Sequence, residues 1–311
     1  MKITVAIPCY RSEKTLPIVV KRIKETITSR PGYEYQIVLV NDCSPDGTYE
    51  EIKKLCREDK NIVGVNLSRN WGQAHARIAS IPYIQGDIAV FMDDDGQHPI
   101  ERIFELTDKI EEGFDLVSAN FEKKQEKWTS RLTSKISSKI YVMMGKRPKG
   151  AVSSSYFAIN QMCINNLKNY KSPFPSIFGY LYQIAGKITN VKFEHLKRMS
   201  GHSGYNFKKR FSLWLNGFVN FSIVPLRVAS ALGIISAFVG FLIGMGKIIH
   251  KLINPNILIG YTSLIAVILF IGGILMLLLG LIGEYIGRMY LVLSNQPQYV
   301  IRETINNERE E

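Results

Sequence analysis

Residues 87–99 read DIAVFMDDDGQHP and place three aspartates directly after an apolar run. The run predicts a buried strand, because it is short, apolar and preceded by a glycine. Neighbouring like charges repel each other and lose hydration when they are enclosed. Alternate side chains of a strand share a face, which predicts that Asp93 and Asp95 point the same way and Asp94 elsewhere. Two carboxylates on one side suit Mg²⁺ or Mn²⁺, and the alternative is a solvated acidic turn that caps a helix.

The chain around this stretch, up to about residue 119, alternates short apolar strands with amphipathic helices. Such alternation predicts a mostly parallel sheet with helices on both faces. In these sheets ligands bind outside the carboxyl ends of the strands. The polar residues that follow successive strands should therefore converge on the aspartates. They are Pro8-Cys9-Tyr10, Asn41-Asp42 and residues 68–72.

Several classes of protein are disfavoured by what the sequence lacks. No G-x-G-x-x-G follows the first strand and no P-loop lysine motif is present, which argues against dinucleotide oxidoreductases and P-loop NTPases. The four cysteines are widely spaced, which favours free thiols in a reducing compartment over a zinc site. The net charge of +12 indicates an anionic partner: nucleic acid, a membrane surface or a phosphorylated substrate.

Two long uncharged apolar runs, residues 228–246 and 257–283, lie in the last third of the chain. Each is long enough to cross a bilayer as a helix, and the short connection between them predicts a hairpin. Basic residues are more frequent before and after the hairpin than in its loop, which carries Lys247 and Lys251. The positive-inside rule then places both chain ends in the cytoplasm of a multi-pass inner-membrane protein. These segments, and the lack of any DNA or RNA module, disfavour nucleic acid as the partner.

The motifs VAIPCYRSEKTL, VLVNDCSPDGT, LSRNWGQAHAR and GDIAVFMDDDGQHP occur in the order seen in family 2 glycosyltransferases with the GT-A fold, and the chain resembles that family. The segments RMSGHSGYNFKKRF, FSIVPLR and GEYIGRMYLVLSNQPQYVIRE are similar to those of bacterial polyprenyl-phosphate glycosyltransferases, relatives of bactoprenol glucosyltransferases and dolichol-phosphate mannose synthase. The resemblance covers nearly the whole chain. It implies an α/β fold: a Rossmann-like, mostly parallel GT-A catalytic domain followed by a two-helix transmembrane hairpin.

The resemblance also implies a domain order. A GT-A catalytic domain over residues 1–200 would precede a juxtamembrane amphipathic helix at 201–225, two transmembrane helices at 226–284 and a cytoplasmic tail at 285–311. In the second segment, aromatic residues recur at helical spacing, so that a helix lying in the membrane interface and a core-facing helix are both open. They are Phe207, Phe211, Trp214, Phe218 and Phe221.

Site residues follow from the same resemblance. Asp93, Asp95 and Gln97 would hold the Mg²⁺ or Mn²⁺ that neutralises the departing nucleoside diphosphate, which also gives Asp95 a catalytic role. The donor would lie among residues at or after the ends of four strands. They are Pro8, Tyr10, Glu13, Asp42, Arg69, Asp93 and Asp94.

On the acceptor side, Arg198 occupies the family's arginine position and would contact a lipid phosphate, with Arg131 as a further candidate. A lipid phosphate is ionised at neutral pH, so it can attack the sugar without a general base; it needs charge and positioning instead.

The function expected is inverting transfer of a sugar from a nucleotide-diphosphate sugar, with UDP-hexose as the expected donor, to undecaprenyl phosphate at the cytoplasmic membrane face. Two alternatives stay open: extension of a lipid-linked or polysaccharide sugar, which would need a general base, and a non-catalytic membrane scaffold. The partners would be the donor, the lipid phosphate and the bilayer, in cell-envelope or O-antigen decoration. The sugar, the metal and a homo-oligomeric state are left open by the sequence.

The hairpin predicts a membrane topology that can be measured. A reporter placed at residue 2 or after Glu303 should report the cytoplasm, and one at Asn254 the opposite side, because the basic flanks resist translocation. Labelling of single-cysteine variants in intact cells with a membrane-impermeant thiol reagent checks this. The hairpin is wrong if the two chain ends lie on opposite sides of the membrane.

Overall fold

A computed structural model describes residues 1–121, 148, 150–193, 224–253 and 261–306. The chain divides into two compact units, Met1–Asn206 with Pro297–Glu311, and Phe207–Gln296. Arg131, Arg198 and the aromatic stripe of residues 207–221 lie outside the described residues.

The first unit is built on an eight-stranded sheet with the strand order β7-β5-β6-β4-β1-β2-β3-β8. The strands are β1 (Lys2–Cys9), β2 (Glu34–Asn41), β3 (Ile62–Leu67), β4 (Ile88–Phe91), β5 (Leu116–Phe121), β6 (Phe157–Asn160), β7 (Ile188–Phe193) and β8 (Ile301–Ile305). The pairs β1–β2, β1–β4, β2–β3 and β5–β7 are parallel, whereas β6 and β8 pair antiparallel to their neighbours. The sequence-based expectation of a mostly parallel α/β sheet is confirmed.

Helices cover both faces of this sheet, which explains why its strands are apolar on both sides. They are α1 (Leu16–Thr28), α2 (Thr48–Glu58), α3 (Gln73–Ser80), α4 (Phe104–Glu111), α5 (Gln161–Lys168) and α6 (Ile177–Ile184). In β1, Ile3, Val5 and Ile7 pack into the cluster that contains the buried residues of α1, α2 and α4. Ala6 packs into a second cluster, on the opposite face, with residues of α3, α5 and α6.

The second unit contains two long helices, α7 (Val224–Ile253) and α8 (Tyr261–Leu293). Both extend beyond the apolar runs of the sequence, to lengths of about 45–50 Å at 1.5 Å per residue. Within α8, the stretch Phe270–Leu293 has a mean hydropathy of 1.9 and is not buried. Among the described helices, it is the one stretch that is long and apolar enough to cross a membrane. Helix α7 contains a shorter apolar stretch, Gly233–Gly246.

Large apolar side chains of both helices are exposed, among them Ile234, Phe238, Leu252, Met276 and Leu293. Soluble proteins rarely expose contiguous apolar surface on this scale, because it is costly to hydrate. The helical hairpin therefore indicates membrane association.

The C-terminal segment holds a feature that the sequence did not predict. It was expected to form a cytoplasmic tail from residue 285, but α8 continues to Leu293 and the chain then forms β8, the edge strand next to β3. The segment IRETI is short and largely polar, so it carries no strand pattern of its own. This segment forms a strand because it pairs with β3, which lies more than two hundred residues earlier in the chain.

Candidate functional site

The loops that follow β1, β2, β3 and β4 meet at the carboxyl edge of the sheet, as the sequence predicts. The backbone N–H of Tyr10 donates to Asp94 Oδ2 at 3.0 Å, which joins the loops after β1 and β4. The N–H groups of Trp71 and Gly72 donate to the two carboxylate oxygens of Asp42 at 2.7 and 2.9 Å, which joins the loops after β2 and β3. The acidic residues thus stand at a shared rim rather than in an isolated solvated turn.

Asp42 fixes the loop that precedes α3. Asp42 is buried, and both of its carboxylate oxygens accept hydrogen bonds from backbone N–H groups. Burial raises the pKa of this carboxyl group, and the hydrogen bonds from Trp71 and Gly72 partly offset that rise. Gly72 has a φ of +90°, a conformation that side chains other than glycine rarely adopt, so the turn depends on it.

Asp93 is held by α3. Its Oδ1 accepts hydrogen bonds from Gln73 Nε2 and Arg77 Nη2, both at 2.7 Å. Gln73 and Arg77 are four residues apart, so they lie on one face of the helix. Burial alone would raise the pKa of Asp93, but the charge of Arg77 and the hydrogen bond from its guanidinium bring it below its usual value, so the carboxylate is ionised at neutral pH.

His98 holds the same loop from the other side. Its Nδ1 accepts the backbone N–H of Asp93 at 3.1 Å, and its Nε2 lies 3.2 Å from Ser155 Oγ. The buried ring stacks on Tyr156 and Phe121, at 5.0 and 5.8 Å between ring centroids. With Nδ1 as an acceptor, the proton of the neutral ring is on Nε2, so His98 serves as an anchor for the loop.

The aspartates lie in a loop, and this corrects one expectation. Strand β4 ends at Phe91, so strand alternation does not set the directions of the carboxylates. Asp94 turns toward the backbone of Tyr10, and burial raises its pKa to about 6. Asp95 Oδ1 accepts the N–H of Gln97 at 3.1 Å, which closes a local turn.

The oxygen chemistry of this loop fits a hard divalent cation. Asp93, Asp95 and Gln97 offer two carboxylates and a carboxamide within five residues, which are ligand types that Mg²⁺ and Mn²⁺ accept. In the described part of the chain, no group of three or more His, Cys, Asp and Glu residues is placed to hold a metal. A site here would therefore depend on the amide oxygen of Gln97 and on oxygens of the ligand itself.

The other residues predicted to bind the donor are Pro8, Tyr10, Glu13 and Arg69, and they differ in their contacts. Tyr10 is 42% exposed, so its ring can offer a face to a flat ligand, and Pro8 is buried within β1, one residue before the end of the strand. Glu13 Oε2 accepts the N–H of Gly47 at 3.2 Å, so it holds the loop after β2. The guanidinium of Arg69 lies over the Trp71 ring, 3.9 Å from its centroid, as a cation–π pair.

Sequence reasoning missed Arg77 and the anchoring role of His98. Arg77 lies in the middle of α3, where an arginine is an ordinary surface residue, and only the fold brings it to Asp93. A helix that starts at the rim and carries polar residues four apart is the signal that could have identified it. Arg131 and Arg198 lie outside the described residues, so their roles stay predictions.

Comparisons with known proteins cover both units. The family model "Glycosyl transferase family 2" matches residues 4–170, and the model "GtrB C-terminal hairpin" matches residues 224–289. The chain is 33% identical over 308 residues to an SfII prophage-derived bactoprenol glucosyl transferase of Shigella flexneri, with 98% of each chain covered. It is also 33% identical over 306 residues to a prophage bactoprenol glucosyl transferase homolog of Escherichia coli (strain K12), covering 97% of this chain and 99% of that protein.

Among solved structures, mannosyl-3-phosphoglycerate synthase from Rubrobacter xylanophilus is similar, with a TM-score of 0.52 and 14% identity. The likeness covers 73% of this chain and 74% of that chain. At this identity the likeness shows a shared fold.

Asp42 and Asp115 allow a matched test of the rim. Both carboxylates accept two backbone N–H groups, but Asp115 precedes β5, at the opposite edge of the sheet. Asp42→Asn and Asp115→Asn should both lower the melting temperature, because each replaces an acceptor oxygen with an NH₂ group. Only Asp42→Asn should weaken the binding of UDP, by about tenfold, measured by titration calorimetry. Equal UDP affinity in the two variants would remove Asp42 from the ligand site.

Proposed function

The chain belongs to the family 2 glycosyltransferases, and on that premise we propose that it transfers a hexose from a uridine-diphosphate sugar to undecaprenyl phosphate at the cytoplasmic membrane face. The observation that carries the proposal is the alignment with bactoprenol glucosyl transferases over 98% of the chain, which includes both the acidic rim and the helical hairpin. A chain that matches these relatives through its membrane segment is expected to share their lipid acceptor as well as their sugar chemistry.

The contacts at the rim support the assignment of this edge of the sheet to the donor. Asp42 fixes the turn at residues 71–72, and Tyr10 offers an exposed ring at the edge of the same space. Arg77 keeps the carboxylate of Asp93 ionised, and His98 fixes its backbone. A divalent cation held by Asp93, Asp95 and Gln97 would neutralise charge on the departing nucleoside diphosphate. Electrostatic groups that are already in place cost no reorganisation during the reaction.

On the acceptor side we propose that Arg198 holds the lipid phosphate, with Arg131 as a further contact. A phosphate monoester carries its nucleophilic oxygen in ionised form at neutral pH, so the enzyme has to position it and needs no base to activate it. A single in-line displacement at the anomeric carbon inverts its configuration. The assay below, run on Arg198→Ala, tests the arginine: transfer should fall while donor affinity stays unchanged.

The function is tested by transfer with the purified full chain in nanodiscs. Radiolabelled nucleotide sugars are incubated with undecaprenyl phosphate, with undecaprenol as the matched acceptor that lacks the phosphate, and label is scored in the lipid phase. We expect label only with the phosphorylated lipid and an inverted anomeric linkage by NMR. Label that enters only a lipid already carrying a sugar would instead favour an extending enzyme, and a retained configuration would rule out single displacement.

The metal is tested in the same assay with two neighbouring substitutions. Asp95→Asn should lower transfer on the order of 100-fold or more, because it removes a charged ligand of the proposed cation. Asp94→Asn is the control, since its remaining amide oxygen can still accept the N–H of Tyr10. EDTA should stop transfer by the unmodified protein, and added Mn²⁺ or Mg²⁺ should restore it. Undiminished transfer after EDTA treatment would contradict the metal site.

A further inference from the structure

The segment that follows the hairpin, residues 299–306, becomes part of the sheet of the first unit; we call it the tail segment. Seven residues, 294–300, separate the end of α8 from the start of β8. Strand β8 pairs antiparallel with β3, with Gly64 opposite Ile305 and Asn66 opposite Glu303, and the register shifts at Asn66/Leu67. This shift falls at the last residues of β3, directly before the loop that leads to the rim.

The tail segment holds that loop at its first residue. The N–H of Ser68 donates to the backbone oxygen of Val300 at 2.8 Å. The carbonyl of Ser68 accepts a hydrogen bond from Arg302 Nη2 at 3.0 Å. Both backbone polar groups of Ser68 are therefore bonded to the tail segment. The hydrogen bond from Arg302 is not part of the strand pairing, because its donor is a side chain and its acceptor, Ser68, lies outside β3.

Ser68 begins the stretch of chain that supplies hydrogen bonds to two carboxylates of the rim, Asp42 and Asp93. Three residues on, Trp71 and then Gly72 donate their N–H groups to Asp42. The helix that starts there supplies the hydrogen bonds of Gln73 and Arg77 to Asp93. A displacement at Ser68 would reach both carboxylates within ten residues, through a turn whose geometry Gly72 and Asp42 restrict.

The tail segment is itself held by hydrogen bonds and apolar contacts to the first unit, so its position is fixed independently of Ser68. Asn306, at a φ of +57°, donates its side-chain NH₂ to the carbonyls of Cys56, Asp59 and Ile62. Tyr49 Oη of α2 donates to Glu303 Oε2 at 2.8 Å. Tyr299 and Ile301 pack against the same small cluster of β2, β3 and α3 residues as Trp71 does.

We propose that the tail segment positions the donor-binding loop, with Arg302 as the positioning residue, so that affinity for the sugar nucleotide depends on chain that lies beyond the membrane hairpin. This rests on the proposed function, because it assigns the rim to the donor. The competing explanation is that β8 merely covers the edge of β3, which would otherwise be open to pairing with other chains. Edge protection needs the strand but not the bond from Arg302 to Ser68.

Arg302→Ala separates the two explanations, because it removes the side-chain bond and leaves the strand pairing. In the full chain in nanodiscs, we expect the KM for the donor to rise roughly fivefold, since one exposed charge-assisted hydrogen bond is lost. The KM for the lipid acceptor should not change. Arg302→Lys should recover part of the effect, because an ammonium can still donate one bond. Arg57→Ala is the matched control: Arg57 is exposed on α2 and its loss removes one cation from the same unit.

A second measurement does not depend on turnover. Hydrogen–deuterium exchange of the peptide covering residues 66–73 should become faster in Arg302→Ala and stay unchanged in Arg57→Ala. Unchanged exchange in Arg302→Ala overturns the positioning role, and so does an equal rise in the KM values of donor and acceptor, which would indicate general damage. If the unmodified protein transfers no sugar at all, the proposed function fails, and UDP affinity together with exchange still decides whether Arg302 positions the loop.

Discussion

Three carboxylates at one edge of a parallel sheet have to be satisfied by the protein itself, and the site is built around that constraint. Enclosed carboxylates lose hydration, so each needs donors or a cation close by. Asp42 takes two backbone N–H groups, Asp94 takes one from Tyr10, and Asp93 takes Arg77 and Gln73. Each of these bonds joins chain segments that follow different strands. The charges that would otherwise oppose folding are thus what fix the rim, and under the proposed function the rim is a preorganised environment for an anionic ligand and its counter-ion.

The features that were predictable from the sequence are those with local signals. Apolar runs gave the parallel strands, the polar residues after them gave the convergent rim, and long uncharged runs gave the helices α7 and α8. Arg77, His98 and β8 could not be identified in this way, because each acquires its role from tertiary contacts, which for His98 are those with Ser155 and Tyr156. Arg77 meets Asp93 across a helix–strand connection, and β8 meets β3 from the other end of the sequence. The directions of the aspartates could not be derived from strand alternation, because the strand ends at Phe91, and a strand boundary depends on tertiary contacts.

The C-terminal segment belongs to the first folded unit, which its amino-acid composition does not indicate. The chain leaves the first unit near residue 206 and returns to it at Pro297, so the apolar helices are inserted between two parts of one folded unit. The first unit is therefore joined to the apolar helices at both of their ends. For an enzyme whose proposed acceptor is confined to a bilayer, a covalent membrane anchor lowers the entropy that has to be lost when the two reactants meet.

The chemistry of a phosphate acceptor agrees with how the acidic groups are used. A sugar hydroxyl as nucleophile would need a base placed to take its proton. In the described part of the rim, however, Asp42 is occupied by two backbone donors, and Asp93 is ionised beside Arg77 with a lowered pKa, which makes it a poor proton acceptor. His98 uses Nδ1 on the backbone and is buried against Tyr156. Asp94 has a pKa that burial raises to about 6, but its Oδ2 accepts the N–H of Tyr10. The hydrogen bonds of these groups hold each of them in place. A nucleophile that arrives already ionised needs no proton acceptor, which supports the proposed lipid phosphate over a hydroxyl acceptor.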